Sequence, residues 1–161
     1  MRSVWLGAAL LVAGCAQVEI KPPEGPLEFD LAGRIAARYR DEAFTGNIAW
    51  RHARGGDEML ISTSFGQGVA RIVRQGDAVL LTTAEPREYR DNDVEALTER
   101  VLGFRVPVVG LAEWVQGRPS PELEGRGWKV EYQDYDAQRR PTRMRLTYQG
   151  IELRFLITQW N

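Results

Sequence analysis

Between Phe29 and Ile157 the chain alternates apolar and polar residues with period two, breaks once into helical periodicity, and then resumes the alternation. A period of two sends successive side chains to opposite faces of an extended chain, so each run reads as a strand with one buried face. In the first run Phe29, Leu31, Gly33, Ile35, Ala37 and Tyr39 share one face, with Asp30, Arg34, Arg38 and Arg40 on the other. The pattern returns where Phe44, Gly46, Ile48 and Trp50 are in phase, and again in Met59, Ile61, Thr63 and Phe65. Val69–Arg74 and Ala78–Thr83 read as two more strands, parted by the turn signal Gln75-Gly76-Asp77. Five short, closely spaced strands predict an antiparallel meander.

The break is helical. Asn92 with Glu95 three residues on is a capping signal, and Val94, Leu97, Val101 and Leu102 form one apolar stripe that Gly103 ends. Pro107 opens a shorter helix in which Leu111, Trp114 and Val115 share a face before Gly117 and Pro119. After a loop through Gly127, alternation resumes in Trp128, Val130 and Tyr132, then Met144, Leu146 and Tyr148, then Ile151, Leu153, Phe155 and Ile157. The expected fold is mainly β with helices (α+β): a curved antiparallel sheet of eight strands whose concave face two helices cover. Helix stripes and inward strand phases name the residues that would surround an apolar interior. They are Val94, Leu97, Val101 and Trp114 from the helices, and Ile35, Ile48, Trp50, Ile61, Tyr132, Met144 and Phe155 from the sheet. Five each of Trp, Tyr and Phe serve a solid core or a cavity equally well.

The chain's 161 residues suffice for one domain but not for two separate cores. A formal charge of −1 lacks the basic excess of a nucleic-acid binder. One Cys and one His exclude a disulfide framework and a structural zinc site, and no cofactor is implied. Catalytic readings are equally thin. A relay through His52 has no partner nucleophile, and His52 reads as a surface residue at a strand end. Gly66-Gln67-Gly68 lacks the third glycine and the following helix of a dinucleotide loop. Asp91 and Asp93 suit a helix N-terminus better than a calcium loop, and Asp134 and Asp136 suit a hairpin turn. The arginines at 139, 140, 143 and 145 read as solvated strand faces as readily as a site for an acidic partner. Nothing points to an enzyme.

Residues 1–14 combine Arg2 with an apolar run from Val4 to Ala13, the layout of a secretory signal. Ten apolar residues are half of what a bilayer span of about 20 requires. The following Val12-Ala13-Gly14-Cys15 resembles the bacterial lipobox, which makes Cys15 the expected lipidation site and the new N-terminus. One acyl chain holds only marginally, and three on Cys15 hold firmly. Ala16 and Gln17 stand where an Asp would resemble the inner-membrane retention signal of enteric bacteria, so the expected address is the outer membrane, facing the periplasm. Residues 15–26 then form a lipidated N-terminus and Pro-rich tether, and residues 27–161 form the domain.

Several spaced features together resemble the outer-membrane lipoprotein receptor family LolB. These are the lipobox, Phe29-x-Leu31-x-Gly33-Arg34, Trp50, Ser64-Phe65-Gly66, Leu102-Gly103 before the Pro107 helix, and Trp114-x-x-Gly117. Further on come Gly127-Trp128-Lys129-Val130-x-Tyr132-x-x-Tyr135, Pro141-x-x-Met144-x-Leu146 and Trp160. The resemblance implies an unclosed antiparallel β-barrel with an α-helical lid over an apolar cavity. It also implies a monomeric receptor that takes lipoproteins from a soluble periplasmic carrier of similar fold, shelters their acyl chains and places them in outer-membrane lipid. A competing reading is a lipid-anchored structural or assembly-factor domain that binds a protein partner through an edge strand.

Phe65 and Gly66 lie in the hairpin Ser64–Gly68, where a large aromatic is unusual. Either Phe65 folds back as the last inward residue of its strand, or it protrudes, as an apolar residue does in the matching loop of the LolB family, and dips into lipid as cargo is released. The N-terminal reading has its own test: mass spectrometry of the membrane-extracted protein should find residues 1–14 gone and Cys15 acylated, and an intact Met1 or a free Cys15 thiol would refute it.

Overall fold

Nine strands form among residues 19–161, which a computed structural model describes, and all join one antiparallel sheet. The expected signal segment and Cys15 lie outside the described residues, as do the side chains of Val101 and Leu102. The meander is β1 (Phe29–Tyr39), β2 (Glu42–Ala53), β3 (Gly56–Ser62), β4 (Gly68–Gln75), β5 (Ala78–Thr83) and β6 (Glu88–Asp91). Three helices follow, α1 (Val94–Leu102), α2 (Val108–Val115) and α3 (Pro121–Gly125), and then β7 (Lys129–Tyr135), β8 (Pro141–Tyr148) and β9 (Ile151–Trp160). The spatial order is β6-β5-β4-β3-β2-β1-β9-β8-β7, so β1 is central and the sheet stays unclosed, with β6 and β7 at its two edges. The helices are the stretch of chain that runs from one edge to the other. They close over the concave side because their apolar stripes have nowhere else to be buried.

Register aligns the inward residues in rows. Leu31 faces Trp50, Trp50 faces Met59, Met59 faces Ile72 and Ile72 faces Leu81, and all five are buried. A second row runs Ile35, Phe155, Met144, Tyr132 across the other half of the sheet. Two inward positions of the sheet have no room for a side chain. A Cβ on Gly33 would sit 2.2 Å from the Leu156 carbonyl oxygen beside a break in the β1–β9 register, and one on Gly46 would sit 2.2 Å from that of Ser62. Only a residue without a side chain permits that approach.

The ninth strand, β6, has four residues and one inward aromatic, Tyr89, too little for a periodic signal. Helix α3 is likewise absent from the sequence reading, since a single buried residue, Leu123, carries its packing. The α1 cap is Asp93 and not Asn92: its carboxylate accepts from the amides of Glu95 and Ala96, and the Ala96 bond above all holds its pKa below the usual value. Gly103 ends α1 with φ of 83°, as its position after the apolar stripe predicts.

His52 is also corrected. It is 7% exposed, because β2 continues three residues past Trp50 and the inward phase carries it under Phe29, whose ring stacks on it at 4.9 Å. Its Nδ1 lies 2.7 Å from the Asp57 carboxylate, which also accepts from Trp50 Nε1 at 2.8 Å and Arg74 Nε at 2.7 Å. Asp57 is fully buried. Burial is the largest influence on its pKa and acts upward, but His52, Arg74 and Trp50 together outweigh it and hold the carboxyl below its ordinary range. These four residues tie β2, β3 and β4 together at the end of the barrel where the chain enters.

A carboxyl whose folded pKa is depressed stabilises the fold above its unfolded pKa of about 3.9 and loses that contribution as pH falls through the folded value. Asp57→Asn should therefore cost about 3–5 kcal/mol at pH 7, because the Arg74 charge is left buried without its partner. Chemical denaturation should show the gap between parent and variant narrowing below pH of about 4.

Candidate functional site

An apolar cavity of about 300 Å³ lies between the sheet and the helical cover, at the end that carries the β1–β2 and β3–β4 turns. Its sheet wall includes Ile35, Ala37 and Tyr39 of β1, Phe44 and Ile48 of β2, Ile61 of β3, Ala70 of β4, and Leu153 and Phe155 of β9. The cover supplies Phe104 and Val106 from the α1–α2 connection and Leu111 from α2. Among the described residues, Glu42 is the one charged residue on the wall. Volume survives here because the lining includes the small side chains of Ala37, Ala43 and Ala70, whereas Trp50 fills the opposite end.

Of the residues named from sequence, Ile35, Ile48, Ile61 and Phe155 border this cavity. Trp50, Leu97, Trp114 and Met144 do not border it and are buried in the packed core, where Val94 joins them. Tyr132 is half-buried against that core, and its hydroxyl donates to the Trp114 carbonyl at 2.8 Å. Burial is the main reason its phenol is pushed up to about 12. Period-two phase identifies an inward side chain, but it does not say whether the opposite layer reaches it. Ala37, Tyr39 and Phe44 were in phase and carried that signal; Phe104 and Val106 lie in an aperiodic connection, where none exists.

That connection is held from outside. Thr98, fully buried on α1, accepts from the Val106 amide at 2.9 Å. Arg105, between the two cavity residues, points away and pairs with Asp93, Glu95 and Glu99. Arg126 reaches back from the end of α3 to Glu95 and Glu122, chiefly through the Glu95 bond, which raises its pKa. Each pair is exposed enough to contribute little alone, up to about 1 kcal/mol. Around Arg105 the α1–α2 connection is thus fastened partly by ion pairs that water and salt loosen, whereas the helices on either side are held to the sheet by the buried packing of Leu97, Trp114 and Leu123.

At the same end of the barrel Phe65 stands 95% exposed. The β3–β4 turn closes with the Gly66 amide donating to the Thr63 carbonyl at 2.9 Å and the Thr63 amide to the Gln67 carbonyl at 2.8 Å. Gly66 takes φ of 83°, a left-handed conformation that glycine adopts without strain. β3 ends at Ser62 after a register shift at Ile61, so the alternation has stopped before Phe65 and nothing turns its ring inward.

An open barrel whose helical cover roofs an apolar chamber, with a bare aromatic at the same end, has the geometry to bind apolar chains. The family model described as outer membrane lipoprotein LolB matches residues 27–160. Outer-membrane lipoprotein LolB of Thiobacillus denitrificans is 35% identical, over 94% of this chain and 92% of its own. Those of Nitrosomonas europaea and Chromobacterium violaceum are 31% and 30% identical, each over 99% of this chain and over 92% and 98% of their own. The chain belongs to the LolB family of outer-membrane lipoproteins.

The division between packed core and cavity wall has a direct consequence for stability. Met144→Ala should cost about 2–5 kcal/mol by chemical denaturation, as fully buried truncations do. Ile35→Ala, on a wall that already faces empty space, should cost less than half as much.

Proposed function

We propose that this outer-membrane lipoprotein receives lipoproteins from a soluble periplasmic carrier, shelters their acyl chains in the cavity behind Phe104 and Val106, and inserts them into outer-membrane lipid. It does so as a monomer, lipidated at Cys15 and facing the periplasm, and without catalytic chemistry. The observation that carries the reading is Phe65, 95% exposed at the end where the apolar cavity lies.

Acyl chains cost about 25 cal/mol per Å² of apolar surface shown to water, so cargo moves only between sheltered sites and toward the better shelter. A 300 Å³ chamber stands at the small end of ligand sites, which run from about 300 to 1,000 Å³. Several chains therefore require the cover to lift, and its ion-paired fastening through Arg105 and Arg126 suits that movement. Phe65 gains about 1.5–3 kcal/mol on entering hydrocarbon, enough to bias docking at the bilayer without fixing the domain there. The alternative of partner binding through an edge strand has less support. β6 has four residues, and β7 carries register shifts and the exposed charges of Lys129, Glu131 and Asp134, both of which deter strand addition.

Phe65→Glu is the discriminating variant. As an exposed substitution it should leave stability within about 0.5 kcal/mol and uptake from the carrier intact, while integration of the cargo into vesicles is lost. A variant that inserts cargo at the parental rate would remove Phe65 from the mechanism.

A further inference from the structure

The chain enters the barrel at the end opposite Phe65. Antiparallel pairing puts the β1–β2 and β3–β4 turns at one end, and the β2–β3 turn, the β4–β5 turn and the start of β1 at the other. Along β1 alone, the ten steps between its 11 residues, at about 3.3 Å each, separate these ends by about 33 Å. The Pro-rich segment before β1 does not hang free at that far end. The Lys21 amide donates to Gln75 Oε1 at 3.3 Å, and Pro22 and Pro23 are half-buried and line a shallow recess together with Ala53–Gly56 and Arg74. Pro23 Cβ lies 3.3 Å from where a Cβ on Gly56 would stand, and the Glu28 amide donates to the His52 carbonyl at 2.8 Å.

We infer that seating residues 21–24 across the β2–β3 and β4–β5 turns points the cavity mouth and Phe65 away from the membrane that holds the anchor, and that delivery of cargo requires this segment to come off. The inference rests on the proposed acylation of Cys15 and the proposed insertion role of Phe65. Chain length sets it. With Lys21 seated, six residue steps from Cys15 span at most about 20 Å, too short to pass the barrel and let Phe65 enter the same bilayer end-on. With the segment released back to Glu28, thirteen steps span about 43 Å, just enough to turn the domain over. Seated, the mouth faces the periplasm, where a carrier arrives; released, it reaches the lipid.

The seat can be locked without touching cavity or loop. Pro23→Cys with Gly56→Cys places two Cβ atoms within a few tenths of an ångström of the disulfide range of about 3.5–4.5 Å. Gly56 is not among the glycines with positive φ, so the backbone accepts the change. The full-length lipidated double variant, reconstituted in vesicles, is loaded by carrier-bound lipoprotein, and uptake and integration are followed separately with and without reductant. Oxidised protein should accept cargo at the parental rate and integrate it at least about tenfold more slowly, since a linker too short to span two sites gives an effective concentration near zero. Reductant should restore integration, which also shows that the variant folds. A ten-residue Gly-Ser insertion between Gln17 and Val18 should restore it with the disulfide intact. Integration by the oxidised form at the parental rate, or no rescue by the longer tether, overturns the inference and leaves the receptor reading standing. A parent protein that accepts no cargo overturns both.

Discussion

A sheet that curls but does not close has two edges to account for, and in this protein everything else follows from how they are spanned. β1 sits centrally, flanked by β2 and β9, so the chain must leave from one edge, β6, and return to the other, β7. The intervening segment crosses the concave side, and its apolar stripe is buried there as α1, α2 and α3. Full closure would have produced a barrel filled by its own side chains. The gap substitutes a separate layer for part of that filling, and a separate layer can part from the sheet.

The two layers are not joined uniformly. Trp114, Leu97, Leu123 and Met144 pack to exclusion of water, and α2 and α3 approach so closely at Gly110 that an added Cβ would sit 2.4 Å from Leu123. Such contact is rigid, because interiors at crystal-like density tolerate neither gaps nor excess. Over the cavity the join is different. Phe104 and Val106 roof a void, and the loop that carries them is held by Thr98 and by surface carboxylates paired with Arg105. Buried packing is therefore concentrated away from the cavity, and the segment over it is the part of the cover with the fewest buried contacts to lose.

The opposite end carries the reverse arrangement. There a buried carboxylate, Asp57, gathers Trp50, His52 and Arg74, and the incoming chain lies against the turns beside them. Such clusters hold geometry more than they add net stability, since the cost of desolvating the charges offsets much of their attraction. One end of the barrel is thus tied by a buried polar cluster and holds the incoming chain, and the other carries the roofed apolar cavity.

Much of this was written in the period of the sequence. Alternation placed eight of the nine strands, the Val94-Leu97 stripe and Gly103 bounded α1, and the glycines around Phe65 marked a hairpin, because these features depend on local backbone geometry and on which face of one element is apolar. Elements too short to show a period, β6 and α3, were not legible. Nor was the fate of each inward residue. Trp50 and Ile48 share a phase and a strand, but one accepts a place in a buried polar cluster and the other borders a cavity, and only the layer packed opposite decides between them. Phe65 shows the same limit from the other side: its sequence position allows it to fold in or stand out, and the register shift at Ile61 that ends β3 early is a property of pairing with β4, a partner strand no local pattern describes. Local chemistry determined what the elements are and which way they face, whereas the distances between layers, which belong to no single segment, decided where the protein is solid and where it is hollow.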